Sequence, residues 1–500
     1  MDAAIDNNTA GLRFNNSFAR LPDGFHARVR PRPLKDTHVV SVSPAAAALL
    51  DLAPDSLLDQ QMVAWLSGQQ AWPGSDPVAM CYAGHQFGHY VPQLGDGRAL
   101  ILGEVETRDG GRWELQLKGA GTTPYSRDGD GRAVLRSTIR EYLCSEAMNA
   151  LGIPTTRALA MFGSDEEVYR ERIERGALLV RMAPSHVRFG SFEVFFHRQQ
   201  HDRLRQLADY VIAHDFPQLR ERPQPYLALL REVVQRTAAL MAQWQLVGFA
   251  HGVMNTDNMS ILGLTLDYGP FGFLDAYEPG FICNHSDYRG RYAFDQQPSI
   301  GLWNLTCLAQ AMLPLLDADD GEASAEQARD ALAGYEPALI AAYSAGMRAK
   351  LGLRDAHEGD QALSAGLLNL MEANRIDYTK LFRDLAALRV ADDSLDAGLR
   401  DRFIDRPGFD AWLADYRARL RHESGDDEAR AAAMRAVNPR YILRNYLAQQ
   451  AIERAEQGDY AEIDRLLGLL SRPFDEQPGM QAYAQEPPDW GRALEVSCSS

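Results

Sequence analysis

A chain of 500 residues is longer than one ordinary domain needs, and its 46% apolar and 24% charged residues exclude a disordered or fibrous polymer. Lys and Arg number 51 against 68 Asp and Glu, a formal charge of -17 that opposes non-specific attraction to nucleic acid or anionic lipid, so any arginine cluster needs a local reason. Five scattered cysteines (Cys81, Cys144, Cys283, Cys307 and Cys498), odd in number and without a CxxC pair, argue against a structural zinc site.

The opening run MDAAIDNNTAGLRF carries acidic residues and no apolar stretch, so it reads neither as a signal peptide nor as a transit peptide. No later segment reads as long enough to span a membrane, and a cytoplasmic, monomeric protein is expected. Residues 1–79 alternate short apolar patches with prolines and end in the turn-like AWPGSDP, which predicts an extension packed on a larger body. Residues 80–198 are strand-rich, with RALILGEVE, RWELQLKGA, TRALAMFG, EEVYRERI and GALLVRMA separated by glycine and charged turns. Among them STIREYLCSEAMNALG has helical spacing, with Thr138 and Glu141 at capping-box separation and Gly152 as its stop. Residues 199–500 turn helical, led by LRQLADYVIAHDF and PYLALLREVVQRTAALMAQWQLVG and interrupted by two loops, HGVMNTDNMSIL and LDYGPFGFLDA. The expected fold is α+β, a two-lobed protein-kinase-like arrangement with a strand-rich N-lobe and a large helical C-lobe.

The two loops carry the first chemical pattern. In the kinase catalytic loop HRDxxxxN the histidine precedes the metal-binding asparagine by seven positions, and His251 precedes Asn258 by the same interval. The strand-like MSILGLTL then leads into Asp267-Tyr268-Gly269, in the place of the DFG metal loop. Magnesium demands oxygen ligands on rigid supports, which Asn258 and Asp267 would supply. The kinase catalytic aspartate would fall at Val253, which accepts no proton, so the base is either absent or displaced. Asp257 is the nearest carboxylate and reads as a base or as a loop cap.

The strand-rich region offers phosphate chemistry. Gly95, Gly97 and Arg98 in QLGDGRALILGE form either a plain hairpin turn or a place where amides and a guanidinium grip an anion. Lys118 ends an apolar strand as the kinase strand-three lysine does, and Glu141 in the first helix can pair with it. Arg181 and Arg188, in GALLVRMAPSHVRFGSF, sit where adenine docks in kinases; they are surface arginines, or they bind phosphate and the nucleotide lies reversed. Asp130 and Gly131 lie in the loop GAGTTPYSRDGDGRAVLRS, which either meets the far end of such a ligand or is a surface excursion.

The blocks LGDGRALILGE, LQLKGAGTTPYSRDGDGRAVLRSTIREYL, HGVMNTDNMSILGLTLDYGPFGFLD and PGFICNHSDYRGRYAFDQQP together resemble the selenoprotein O family. The resemblance runs from about residue 10 through NPRYILRNYLAQQAI to the terminal SCSS, with no departure that suggests lost activity. It implies a kinase-like fold binding ATP in a flipped orientation, so that AMP moves to Ser, Thr or Tyr hydroxyls of protein substrates. Carried over residue by residue, it implies that Gly95, Gly97, Arg98, Lys118, Asp130, Gly131, Arg181 and Arg188 bind ATP. Asp257 would be the proton acceptor, Asn258 and Asp267 would hold Mg2+ or Mn2+, and Glu141 would pair with Lys118. Manganese-dependent UMP transfer lies within the same resemblance. Ordinary phosphoryl transfer, or a catalytically silent nucleotide-binding scaffold, remain the readings from other classes. The family often carries selenocysteine near its C-terminus, and Cys498 stands in a corresponding place, where a reversible disulfide with Cys283 would tether the tail near the active-site loop.

Overall fold

The computed structural model describes residues 11–496, apart from 318, 395 and 424. Its first part is built on β1 (Arg13–Phe14), β2 (His26–Arg28), β3 (His38–Val42), α1 (Pro44–Ala48), α2 (Gln60–Leu66), β4 (Val78–Met80) and the small hairpin β5 (Gly84–Gln86) and β6 (His89–Val91). There follow β7 (Ala99–Glu106), β8 (Arg112–Lys118), β9 (Ala133–Val134), α3 (Leu135–Ala150), β10 (Arg157–Tyr169) and β11 (Ile173–Ala183). Nine of these strands form one antiparallel sheet in the order β2-β4-β7-β8-β11-β10-β3, with β1 added on β7 and β9 on β11. The first 80 residues therefore do more than pack on the sheet: they supply β1 to β4.

Strand alternation divides this sheet between two cores. Leu100, Leu102, Leu115, Leu117, Leu178, Val180 and Met182 face a cluster with Leu50, Trp65 and Trp72 from the N-terminal segment. Ile101, Ala177 and Leu179 face α3 through Ile139, Leu143 and Ala147. Gln116, Lys118 and Arg181 stand out of phase with the first set, on the α3 side. The outer strand β3 is covered from far along the chain: His38 Nε2 lies 2.8 Å from the Tyr460 hydroxyl, and Ser41 Oγ donates to Asp464 at 2.7 Å.

Past β11 come α4 (Phe189–His197), α5 (His201–Asp215), α6 (Pro225–Val247), β12 (Phe249–Ala250), β13 (Gly272–Phe273) and α7 (Gln297–Leu316), then ten further helices, α8 to α17, among the described residues between Gly321 and Arg492. The helix α6 ends where Gly248 adopts φ 72°, a left-handed C-terminal position that glycine takes without penalty. Several local expectations fail. The helix α3 begins at Leu135, and Thr138 Oγ1 returns to the Val134 carbonyl at 2.8 Å, so no capping box forms with Glu141. The run EEVYRERI is the end of β10, a turn and the start of β11, because its charged residues leave no apolar continuity to mark the reversal. The stretch MSILGLTL turns back on itself through the Met259–Thr265 bridge. One helical stretch, Phe294–Leu316, does reach spanning length with a mean hydropathy of 1.3, against the sequence expectation; half of its apolar window is buried inside the protein, as in a core helix.

Candidate active site

A cleft of about 580 Å³ lies under the sheet and is lined by ten of the twelve site residues proposed from sequence: Gly95, Gly97, Arg98, Lys118, Asp130, Gly131, Arg181, Arg188, Asp257 and Asp267. Glu141 borders an adjoining cavity of about 350 Å³ together with Arg98 and Lys118. Asn258 lines neither of these two cavities and turns its amide to the Val253 carbonyl at 3.1 Å.

The deep end of the cleft is ionic. Arg181 and Gln116 are register partners on β11 and β8, and Leu179 opposite Lys118 completes the pairing, so both cations project from one face. Lys118 Nζ reaches Glu141 Oε2 at 2.5 Å and also pairs with Asp267. Arg181, only 2% exposed, bonds Glu141 Oε1 at 3.0 Å, Asp267 Oδ1 at 3.4 Å and Gln116 through its Nε at 3.0 Å. Asp267 holds φ 67°, a left-handed conformation that aspartate tolerates better than most residues. Burial alone would push its carboxyl up, but Lys118, Arg181 and Arg98 outweigh that and hold it well below the usual carboxylate range.

Both loops of the helical region hang from one short ladder, since β12 pairs with β13 through Phe249–Phe273 and Ala250–Gly272. His251 is buried against Trp244, ring centroids 5.2 Å apart. Its Nδ1 accepts from the Val253 amide at 3.3 Å and its Nε2 lies 3.4 Å from the Leu266 carbonyl. Burial lowers its pKa, which keeps the ring neutral and suits it to pinning the two loops together. Asp257 follows on the same loop, buried, with Gln86 donating to Oδ2 at 3.3 Å and Oδ1 without a partner among the described residues. Burial lifts its carboxyl to about 6, opposed chiefly by Arg188. Arg188 donates to the Asp257 carbonyl at 2.8 Å, lies 4.5 Å over the Tyr82 ring and is 3.9 Å from Asp96. A Cβ on Gly84 would fall 2.8 Å from Asp257 Oδ1, which is why the hairpin can press so close.

Over the mouth, the loop 119–132 folds back onto the glycine turn. Thr123 Oγ1 donates to the Asp96 carbonyl at 2.6 Å and Ser126 Oγ to the Gly97 carbonyl. Gly131, at φ 70°, approaches Gly121 so closely that a Cβ there would sit 2.1 Å from its carbonyl carbon. Asp130 is gripped at both oxygens by Arg170, at 2.7 and 3.0 Å, which lowers its pKa. Arg170, Tyr82, Gln86 and Arg132 also line the cleft and were not singled out from sequence. Arg170 lies at the β10–β11 reversal, inside EEVYRERI, whose pattern predicts a single strand. Cys283 is buried, with its Sγ 3.4 Å from the Ala250 carbonyl. Cys498 lies outside the described residues, and the last of those, Glu495 and Val496, border the same pocket as Cys283.

The family model described as Protein adenylyltransferase SelO matches residues 8–471. A protein nucleotidyltransferase YdiU of Thioalkalivibrio sulfidiphilus is 62% identical over 489 residues, covering 98% of this chain and 99% of that protein. Proteins of the same name from Myxococcus xanthus and Thiobacillus denitrificans are each 59% identical, with coverage of 98% and 99%. The chain is thus a nucleotidyltransferase, an enzyme class that rules against a silent scaffold. It belongs to the SelO family of protein adenylyltransferases.

Proposed function

We propose that this enzyme transfers AMP from ATP to Ser, Thr or Tyr hydroxyls of protein substrates, with the nucleotide lying reversed in a two-lobed, kinase-like cleft. In this reading residues 80–198 form the N-lobe with the 1–79 segment joined to it, and residues 199–500 form the C-lobe. The observation that carries the proposal is the deep end of the cleft, where buried Arg181 and Lys118 converge and an adenine ring would meet charge instead of an apolar slot. Terminal phosphates suit that end, which leaves the α-phosphate toward Asp257.

The residues fit the ligand. Gly95 and Gly97 bring backbone beside Arg98, and Arg188 Nε and Asp257 Oδ1 are buried without partners among the described residues, as expected of groups that await phosphate or acceptor. Asp130 and Gly131 stand at the mouth for the nucleoside end. Asp267, kept ionised by its three cations, and Asn258, whose amide donates to Val253 and so leaves its carbonyl oxygen to coordinate, would hold Mg2+ or Mn2+. Such a metal supplies charge neutralisation for the departing pyrophosphate. Glu141 fixes Lys118. The acceptor hydroxyl gives its proton to Asp257, its oxygen bonds the α-phosphorus, and the bond to the β-phosphate bridge breaks. A base beside Asn258 thereby replaces the one missing at Val253.

ATP labelled separately at the α and γ phosphates tests this: α label retained on protein is expected, and retention of γ label alone overturns it in favour of phosphoryl transfer. UMP transfer with Mn2+ is the second reading, favoured by relatives whose name specifies nucleotidyl transfer without naming the nucleotide. Competition between labelled ATP and UTP separates the two.

A further inference from the structure

Behind the catalytic loop, outside the nucleotide cleft, two histidines and a carboxylate converge. Glu193 and His197 are four residues apart on α4, so they share a face one turn apart, and His85 on β5 meets them from the other side. One ligand atom from each lies within 4.8 Å of the other two, and His85 Nδ1 sits 2.5 Å from Glu193 Oε1. The next residue along β5, Gln86, points to the opposite side and donates to Asp257. Tyr90 lies against His197 with ring centroids 3.9 Å apart, and the Trp303 ring meets His85 edge-on at 5.3 Å, which gives the triad an aromatic wall. Glu193 is fully buried, whereas His197 opens to solvent and provides an entry route.

We propose that His85, Glu193 and His197 form a binding site for a late first-row divalent cation, Zn2+ foremost, separate from the metal that accompanies the nucleotide. Two imidazoles and one carboxylate are the donor set that such ions prefer, whereas Mg2+ selects oxygen alone. Three protein ligands leave one position for water, and the ligand atoms need only settle to tetrahedral edges of about 3.3 Å around a centre about 2 Å from each. The remaining Glu193 oxygen accepts from Thr256 Oγ1, which itself accepts from the His85 amide at 2.7 Å. Thr256 immediately precedes Asp257, so a bound cation braces the loop that carries the proposed base, with Thr256 as its outer-shell partner. No step of nucleotide transfer is needed for this binding. The His197 side chain is exposed and makes no hydrogen bond among the described residues, so its removal tests the cation and costs the fold ring contacts with Tyr90 and His85 but no hydrogen bond.

The test uses the full chain, stripped with a chelator and titrated with Zn2+, or with Co2+ as a spectroscopic probe, in excess Mg2+ and without nucleotide. One equivalent of Zn2+ is expected with a Kd below about 1 μM, together with the intense visible absorption of four-coordinate Co2+. His197→Ala is expected to weaken binding by at least the ~10- to 100-fold that loss of an outer-shell partner costs. It should also abolish the Zn2+-induced rise in Tm, read against the variant's own metal-free Tm, while leaving circular dichroism unchanged. A parent chain that takes up no Zn2+ above the Mg2+ background, or a His197→Ala variant that binds like the parent, overturns the assignment and leaves the triad as a hydrogen-bonded brace for Thr256.

Discussion

Replacing Asp257 by Asn should cost activity and increase stability at the same time. Burial raises this carboxyl from its ordinary 3.8 to about 6, so the folded state holds the proton more tightly than the unfolded chain does. The sign follows: the protonated form favours folding, that contribution is complete below the unfolded value, and it is lost as pH rises through 4 to 6. Roughly two units at 1.36 kcal/mol each amount to about 3 kcal/mol of destabilisation carried by the ionised carboxylate at neutral pH. Asn keeps the shape and an acceptor for Gln86 without the charge. Spread over the unfolding entropy of a 500-residue chain, relief of that cost raises Tm by about 3 °C at pH 8 and by almost nothing at pH 4. Transfer, in contrast, should fall about 10²- to 10⁴-fold, because the base acts in the transition state, and the parent's rise in rate through about pH 6 should flatten. Calorimetry at both pH values and a pH profile of label transfer read the two effects. An Asn variant that is less stable at pH 8, or one that keeps the parental rate, refutes the reasoning.

Lys118→Ala removes the shared partner of Glu141 and Asp267 and should raise the KM for ATP as well as lower kcat; urea unfolding should show a loss of about 3 kcal/mol, as for a broken buried ion pair. Arg170→Ala leaves the Asp130 carboxylate with only the Arg132 amide on Oδ1 and should weaken nucleotide binding more than it slows turnover, with faster proteolysis of the loop 119–132 as the structural readout.

The strands and helices that sequence predicts are those with an unbroken apolar run, for strands, or with apolar residues at a sustained helical spacing. The runs in β7 and β8 are buried on both faces of the sheet, and α6 repeats Leu227, Leu230, Val234 and Ala238 at helical spacing until Gly248. Where it failed, the structure is made of pieces too short to carry a period: β1 and β2 have two and three residues, and Met259 to Leu266 holds only single bridges. The capping-box reading of Thr138 failed because Glu141 has stronger partners in Lys118 and Arg181 than a backbone amide. The cleft residues were legible as a set since each sits in a glycine turn, at a strand end or in a loop with fixed spacing. Arg170, Tyr82 and Gln86 were not, because their places depend on a hairpin reversal and on contacts between distant segments, for which no local spacing exists.

The covering of β3 by Tyr460 and Asp464 ties the start of the chain to its far end, across a separation of 422 residues for the His38–Tyr460 bond. During synthesis β3 therefore emerges long before either its partner β10 or the residues that bond His38 and Ser41 exist. Until β10 is made both of its edges are unpaired, a template for sticking to neighbouring chains. Cutting the chain shortly before residue 460 should thus strip His38 and Ser41 of these partners and lower solubility through residues 38–42, far from the cut.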